Sequence, residues 1–257
     1  MKISEILINS LKYPMDDEEN FKYVMLFSGI LVVGSLLYSL MTGIGFCFGS
    51  NAASALIIIG ALLYAVCCFA YGLVFPGYLI SVIREGIDQT GVIPAFEFGQ
   101  NIVDTIKFWI LGFIYNIVPI IVTVIVVVIF AFVGGSFTST PSAGSPAVLL
   151  IIIAAIILAV VFVFFNLLFA VGALRFAKYE SLSEALSISE CWAELKEVGL
   201  KLVLLVVAIA VIQLGVVIAS LLLWFIPVVG LVISTMIVIP FTRLFGAYAL
   251  GSLYSEV

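Results

Sequence analysis

Histidine is absent from this 257-residue chain, and charge is scarce. The first absence removes histidine-ligated zinc, Ser-His-Asp triads and histidine pH switches from its own chemistry. The second says more. Charged residues make up 10% of the chain, against roughly 25% in ordinary soluble domains, and 65% is hydrophobic. A soluble fold cannot hide that much apolar surface, because surface stays exposed however the chain packs. Basic residues are the rarer sign, 10 against 15 acidic, giving a net charge of −5. That balance argues against a nucleic-acid partner, which needs a basic surface. No CxxC spacing links Cys47, Cys67, Cys68 and Cys191, which read as small apolar residues with reduced thiols. Gly43-Ile44-Gly45 lacks the Lys-Ser/Thr of a phosphate loop. The expectation is no cofactor, no metal site, no catalytic residue and no enzyme.

Long apolar runs fill the space that these absences leave. They predict spans at 23–46, 54–80, 108–133, 148–174, 202–224 and 227–245, each able to cross about 30 Å of hydrocarbon. Runs such as Ile120–Phe132 and Val148–Phe165 lack the alternation of barrel strands, so the spans are helices despite their Val and Ile content. The fold class is therefore all-α: one membrane domain over 1–257 with about six transmembrane helices. A cytoplasmic segment at 1–22 and cytoplasmic loops at 81–107 and 175–201 complete it. The first apolar run starts behind Asp16, Asp17, Glu18 and Glu19, which is unlike a cleavable signal, so the first span is expected to be retained.

All ten basic residues fall on one side of this map. Lys2, Lys12 and Lys22 precede span one, and Arg84 and Lys107 lie between spans two and three. Arg175, Lys178, Lys196 and Lys201 lie between spans four and five, and Arg243 sits at the inner end of span six. The connections near Gly49–Ala53, Gly134–Ala147 and Phe225–Ile226 carry no charge. The positive-inside rule then places both termini in the cytoplasm of a cell-membrane protein. Trp224 and Phe225 fit an outer aromatic belt, Pro227 fits a first helical turn, and Gly134–Pro146 is a small uncharged outer loop.

Three parallel helical-hairpin units are expected, at about 1–79, 80–174 and 175–257. Ile3-Ser4-Glu5-Ile6-Leu7 recurs as Leu182-Ser183-Glu184-Ala185-Leu186, and Phe96-Glu97-Phe98 precedes span three at a comparable distance. The segments on the basic side are amphipathic. Ile3, Ile6, Leu7 and Leu11 share a face that Tyr13-Pro14 should end. Ser181 to Glu184 reads as a capping box opening a helix through Ala193. Such helices either anchor at the interface and set span tilt or form a docking platform.

Intramembrane charge is the best pointer to a transport site, and no span centre carries one. The candidate polar cavity is therefore Asn116, Asn166 and Gln213 within spans, with Arg243 after the helix-breaking Pro240. Arg243 either faces a cytoplasm-open cavity and binds an anion or snorkels to the inner headgroups. Thr123, Ser234 and Thr235 are further polar span residues that suit helix–helix packing. Asp16–Glu19 and Glu190, Glu194 and Glu197 read as solvated acidic faces or a divalent-ion site.

One stretch carries a family resemblance: Gly77-Tyr78 through Arg84, then Ile93-Pro94-Ala95-Phe96-Glu97, then Asn101 to Lys107, and Tyr115. With Leu11-Lys12-Tyr13-Pro14 it resembles the uncharacterised prokaryotic, mainly archaeal, polytopic membrane proteins grouped as a domain of unknown function (DUF4013-like). Asn101 to Thr105 stand where a glycine often opens the span in that pattern. The resemblance implies the same membrane architecture and no assigned reaction. From the residues themselves the expected function is a non-enzymatic scaffold or accessory subunit. Its expected partners are the bilayer and a membrane protein, or further copies of itself. The alternative is a permease or channel for a small neutral or apolar solute or lipid.

Overall fold

The computed structural model describes residues 2–47, 50–134, 146–223 and 225–255. Residues 135–145 of the expected outer loop and Trp224 lie outside these. Among the described residues there is no strand. The helices are α1 (Ile3–Asp16), α2 (Glu18–Cys47), α3 (Ser50–Asp88), α4 (Phe98–Gly134), α5 (Pro146–Tyr179), α6 (Leu182–Ala185), α7 (Ile188–Leu223), α8 (Pro227–Ile233) and α9 (Ile239–Tyr254). A π-helical turn, Ser234–Val238, joins α8 to α9. Among the described residues, six helical stretches are long and apolar enough to cross a membrane, the sixth being Val228–Tyr254 through that turn. Large apolar side chains such as Phe113, Val127, Val163 and Leu222 lie more than half exposed along them, a surface that only lipid solvates. The chain is a polytopic helical membrane protein.

The helices outrun the apolar runs that announced them. The expected loop 81–107 shrinks to residues 89–97, because α3 continues to Asp88 and α4 starts at Phe98. The loop 175–201 is mostly helix as well, with breaks only at residues 180–181 and 186–187. A hydropathy run measures only the hydrocarbon crossing, whereas the backbone ladder continues for as long as propensity and packing support it.

Backbone contacts divide the chain into two units, Met1–Phe108 with Leu200–Val257, and Trp109–Gly199. In the first, α2 and α3 form an antiparallel hairpin: Gly45 faces Ala53, Gly60 faces Tyr38 and Met41, and Gly34 faces Cys67. α3 crosses α9 where Gly86 meets Gly251. A Cβ on Gly86 would lie 2.6 Å from the Tyr248 carbonyl oxygen, so only a residue without a side chain fits. α1 packs its Ile6, Ser10, Tyr13 and Pro14 inward, with Tyr13 stacked on Tyr248 at 4.0 Å. Tyr13-Pro14 does not end α1, as expected from sequence; the helix continues to Asp16. The buried stack and the buried proline ring hold the last turn although Pro14 donates no hydrogen bond. In span six, the wide π turn ends just before Pro240, which sits in the first turn of α9 where a missing N–H is tolerated.

In the second unit, Tyr115 of α4 donates to the Ala185 carbonyl at 2.9 Å and meets Phe169 of α5 edge-on at 6.2 Å. The Ser181 capping box does not form. α6 is a single turn, and the Ser181 side chain makes no cap bond to it. The Glu184 carboxylate that would complete the box is engaged elsewhere.

Candidate functional site

Polar chemistry collects where the apolar runs end on the basic side. In the first unit, α3 turns into α4 through residues 89–97, with Gln89 and Gly91 in left-handed backbone. Three consecutive carbonyls of this connection are taken by side chains from three helices. Tyr13 Oη donates to Val92 O at 3.1 Å, Asn20 Nδ2 to Ile93 O at 3.2 Å, and Tyr78 Oη to Pro94 O at 3.1 Å. Ile93 is buried beneath them, and the Phe96 ring packs on Phe27 at 4.7 Å and Tyr78 at 4.8 Å. A connection held this way is a rigid wall, because each buried backbone acceptor has a partner. Burial, followed by the nearby Tyr78 and Glu85, pushes the Tyr13 phenol up, so it remains a donor. Asp17 is held below the usual carboxylate range by the Asn20 amide, which donates to it at 2.8 Å.

The start of α4 is pressed onto α3 at Gly77. The Gly77 N–H donates to Thr105 Oγ1 at 2.7 Å, and a Cβ there would lie 2.7 Å from the Asn101 carbonyl carbon. That close approach buries Asp104, whose carboxylate is 2% exposed. Its Oδ1 accepts from Gln100 Nε2 at 3.2 Å and has Lys107 Nζ at 4.0 Å; its Oδ2 lies 3.7 Å from Arg84 Nη2. Both cations are within charge-pairing range, though beyond hydrogen-bond length.

Beside this triad opens a cleft of about 260 Å³, lined by Ser81, Arg84, Glu85, Pro94, Ala95, Glu97, Gln100 and Asn101. Asn101 is 1% exposed. Its Nδ2 and the Asp104 Oδ2 are buried without a hydrogen-bond partner among the described residues. The residues lining it therefore include a guanidinium, a buried amide whose Nδ2 is unmet, and two carboxylates. Among the described residues no group of histidine, cysteine and carboxylate side chains has metal-binding geometry.

The second unit has its own ionic centre. Arg175, 4% exposed, ends the apolar part of α5 and is ringed by three carboxylates. Its Nη2 pairs with Glu184 at 2.9 Å and with Glu190, its Nη1 pairs with Glu194, and its Nε donates to the Glu184 carbonyl at 3.0 Å. Here is the engagement that undoes the capping box: Glu184 turns back to Arg175 across the break. Glu190 and Glu194 are thus not a purely solvated face, as expected from sequence. A buried guanidinium needs them, and their spacing of four on α7 aims both at it.

The residues expected to line a cavity are placed as follows. Asn116 and Asn166 lie in the second unit, and each donates its amide to its own helix, to Gly112 O and to Phe162 O, both at 2.7 Å. Gln213 and Arg243 lie in the first unit. Gln213 Nε2 reaches the Thr242 carbonyl at 3.4 Å, and Arg243 is exposed on α9. Sequence reading named Asn101 and Asp104 only within the family resemblance and Arg175 only for orientation, none of them as a site residue. One signal was available for Asp104. It stands four residues before the start of span three, as Arg84 stands four after the end of span two, so a hairpin brings the pair together.

Ser81, Arg84, Pro94, Ala95, Glu97 and Asn101 of the cleft lining are among the residues that carried the family resemblance. The model of a family described as a protein of unknown function, DUF4013, matches residues 61–228, more than half of the chain. The chain belongs to this family. No curated protein and no solved structure matches it. The matched region of this DUF4013 member includes the cleft's lining residues and the Arg175 centre, so both polar sites lie inside the family's defining segment.

Proposed function

We propose that this DUF4013 protein is a non-enzymatic scaffold or accessory subunit of the cell membrane, acting through a partner protein or further copies of itself. Both termini are cytoplasmic in this reading, which the one-sided distribution of Lys and Arg supports. The observation that carries it is the use of polar side chains along the spans. Ser28, Ser35, Thr42, Asn116, Thr123, Asn166 and Ser220 each bond a carbonyl three or four residues earlier in their own helix. Each of these bonds closes within one helix, so the polar side chains serve their own helix and do not converge on a shared path across the bilayer. The ionic groups lie instead beyond the apolar runs, and the exposed carboxylates among them, such as Glu184 and Glu190, are open to a partner at the membrane face.

Gentle extraction of the tagged protein, followed by mass spectrometry and mass photometry, tests the reading. A reproducible stoichiometric partner or a defined homo-oligomer is expected. Isolation as a lone monomer under lipid-retaining conditions would overturn it. Flux of a small neutral solute through reconstituted vesicles would favour a permease instead.

A further inference from the structure

The cleft at the α3–α4 turn has a composition that selects its ligand, independently of whether the protein is a scaffold. We propose that it binds a small zwitterion bearing an oxyanion and a primary ammonium group, such as a phosphoethanolamine head. Asn101 supplies the first argument. The residue is among those lining the cleft, is almost wholly buried, and has no acceptor for Nδ2 among the described residues. A buried donor in that state is costly, and an oxygen placed in the cleft relieves it. Arg84 lines the same wall, and its planar fork suits an oxyanion.

Glu85 and Glu97 supply the second argument. With Arg84 they leave the lining at a net charge of −1, which opposes a ligand that is only anionic. A ligand that is only cationic would leave the Asn101 donor unmet. A zwitterion answers both, its oxyanion toward Arg84 and Asn101 and its ammonium toward the two carboxylates.

Size and place agree with this chemistry. A volume of about 260 Å³ is below the roughly 300–1,000 Å³ of sites for drug-sized molecules, and suits a headgroup-sized one. The lining residues run from Ser81 to Asn101, between the end of one apolar run and the start of the next, on the side where Lys and Arg collect. The wall is preformed by the three side chains that hold the Val92, Ile93 and Pro94 carbonyls, so ordering costs little on binding. The same chemistry could arrive as a lipid headgroup or as a free solute.

The test uses the full chain in nanodiscs. Calorimetry with glycerophosphoethanolamine in phosphatidylcholine discs probes the free source. Native mass spectrometry from discs of equal phosphatidylethanolamine, phosphatidylcholine and phosphatidylglycerol probes the lipid source. Saturable binding of the soluble probe supports a free zwitterion, and selective retention of phosphatidylethanolamine alone supports the lipid. In either arm, Glu97→Gln combined with Glu85→Gln should weaken binding at least tenfold, and Asn101→Leu should abolish it. Glu97 is exposed, so Glu97→Gln folds even if Asn101→Leu does not, and by itself should weaken binding severalfold. Three results overturn the proposal: neither probe binds, phosphatidylglycerol is retained as well as phosphatidylethanolamine, or the glutamate variants bind with unchanged affinity.

Discussion

Replacing Gly77 by alanine should be among the most damaging single-methyl changes in the first unit. The new Cβ would lie 2.7 Å from the Asn101 carbonyl carbon and 2.8 Å from the Thr105 nitrogen, where nonbonded carbon contacts prefer about 3.5–4.0 Å. Both obstacles are backbone atoms of α4, so no side-chain rotation relieves them, and the start of α4 must move off α3. Overpacking of this kind costs roughly 1–3 kcal/mol, with backbone obstacles at the upper end. Better helix propensity returns up to about 1 kcal/mol, and loss of the bond to Thr105 adds about 0.6 kcal/mol. The net is a loss of about 2–3 kcal/mol. Thr105→Val keeps the shape and removes only the hydroxyl that accepts from Gly77, so it should cost the same ~0.6 kcal/mol. The two changes act on one contact and should not add. Once Gly77→Ala has parted the helices, Thr105→Val should cost almost nothing further. Unfolding in mixed micelles titrated with SDS and followed by circular dichroism reads all three variants. The reasoning fails if Gly77→Ala stays within about 0.5 kcal/mol of the parent, or if the two losses sum.

Arg175→Met leaves Glu184, Glu190 and Glu194 facing one another. Breaking a buried pair costs roughly 3–5 kcal/mol, but Glu184 and Glu190 side chains are 47% and 54% exposed and water will take them over, so about 2–3 kcal/mol is expected. Micelle unfolding measures it, and hydrogen exchange should quicken at residues 182–190; a neutral effect would mean that the ion cluster contributes nothing. Gly251→Val drives a side chain into the Ile83 carbonyl and Gly86, and should lower the melting temperature by several degrees where Gly43→Val, with open space around it, does not. Tyr13 has a folded pKa raised above its ordinary value of 10, so its stabilisation is complete below pH 10 and is lost as pH rises beyond it. Tyr13→Phe should therefore flatten the alkaline fall in stability above pH 10, and an unchanged slope would remove Tyr13 from the account. A carboxy-terminal green fluorescent protein fusion should fluoresce while an alkaline phosphatase fusion stays inactive, and the reverse pattern would invert the orientation.

The membrane class and the six crossings were legible because a long apolar run has few other physical meanings. What hydropathy could not give was the helix ends, since the ladder outlasts the hydrocarbon by whole turns at Arg84–Asp88 and at Phe98–Lys107. The Ser181 prediction failed for an instructive reason. A capping box is a local bargain between a serine and a glutamate, and Glu184 has a stronger option in Arg175, nine residues earlier in sequence and a direct ion pair in space. Local rules do not see a competitor on another helix. Asn101 was illegible for a related reason: its burial follows from Gly77, 24 positions away, lacking a side chain. The amides at Asn116 and Asn166 looked like cavity residues because polarity in an apolar run is conspicuous, yet each gives one N–H back to its own helix.

The length of α3 ties these observations together. The helical stretch Ala53–Asp88 has 36 residues, or ~54 Å of helix, against about 30 Å of hydrocarbon. Roughly twenty of those residues suffice to cross, and the surplus includes the basic end, where Arg84 and Glu85 stand. A carboxylate as buried as that of Asp104 would be prohibitive in lipid, but here protein rather than hydrocarbon covers it, with two cations and an amide in reach. The surplus turns therefore make a third environment, neither lipid nor water, in which buried charge is tolerable. That environment requires a close-packed α3–α4 turn, which is why a glycine at Gly77 and three bonded carbonyls at 92–94 precede any recognition chemistry in the cleft. Substitutions that disable the protein without unfolding it should accordingly concentrate among Arg84, Glu85, Glu97 and Asn101, and spare the apolar residues at mid-span.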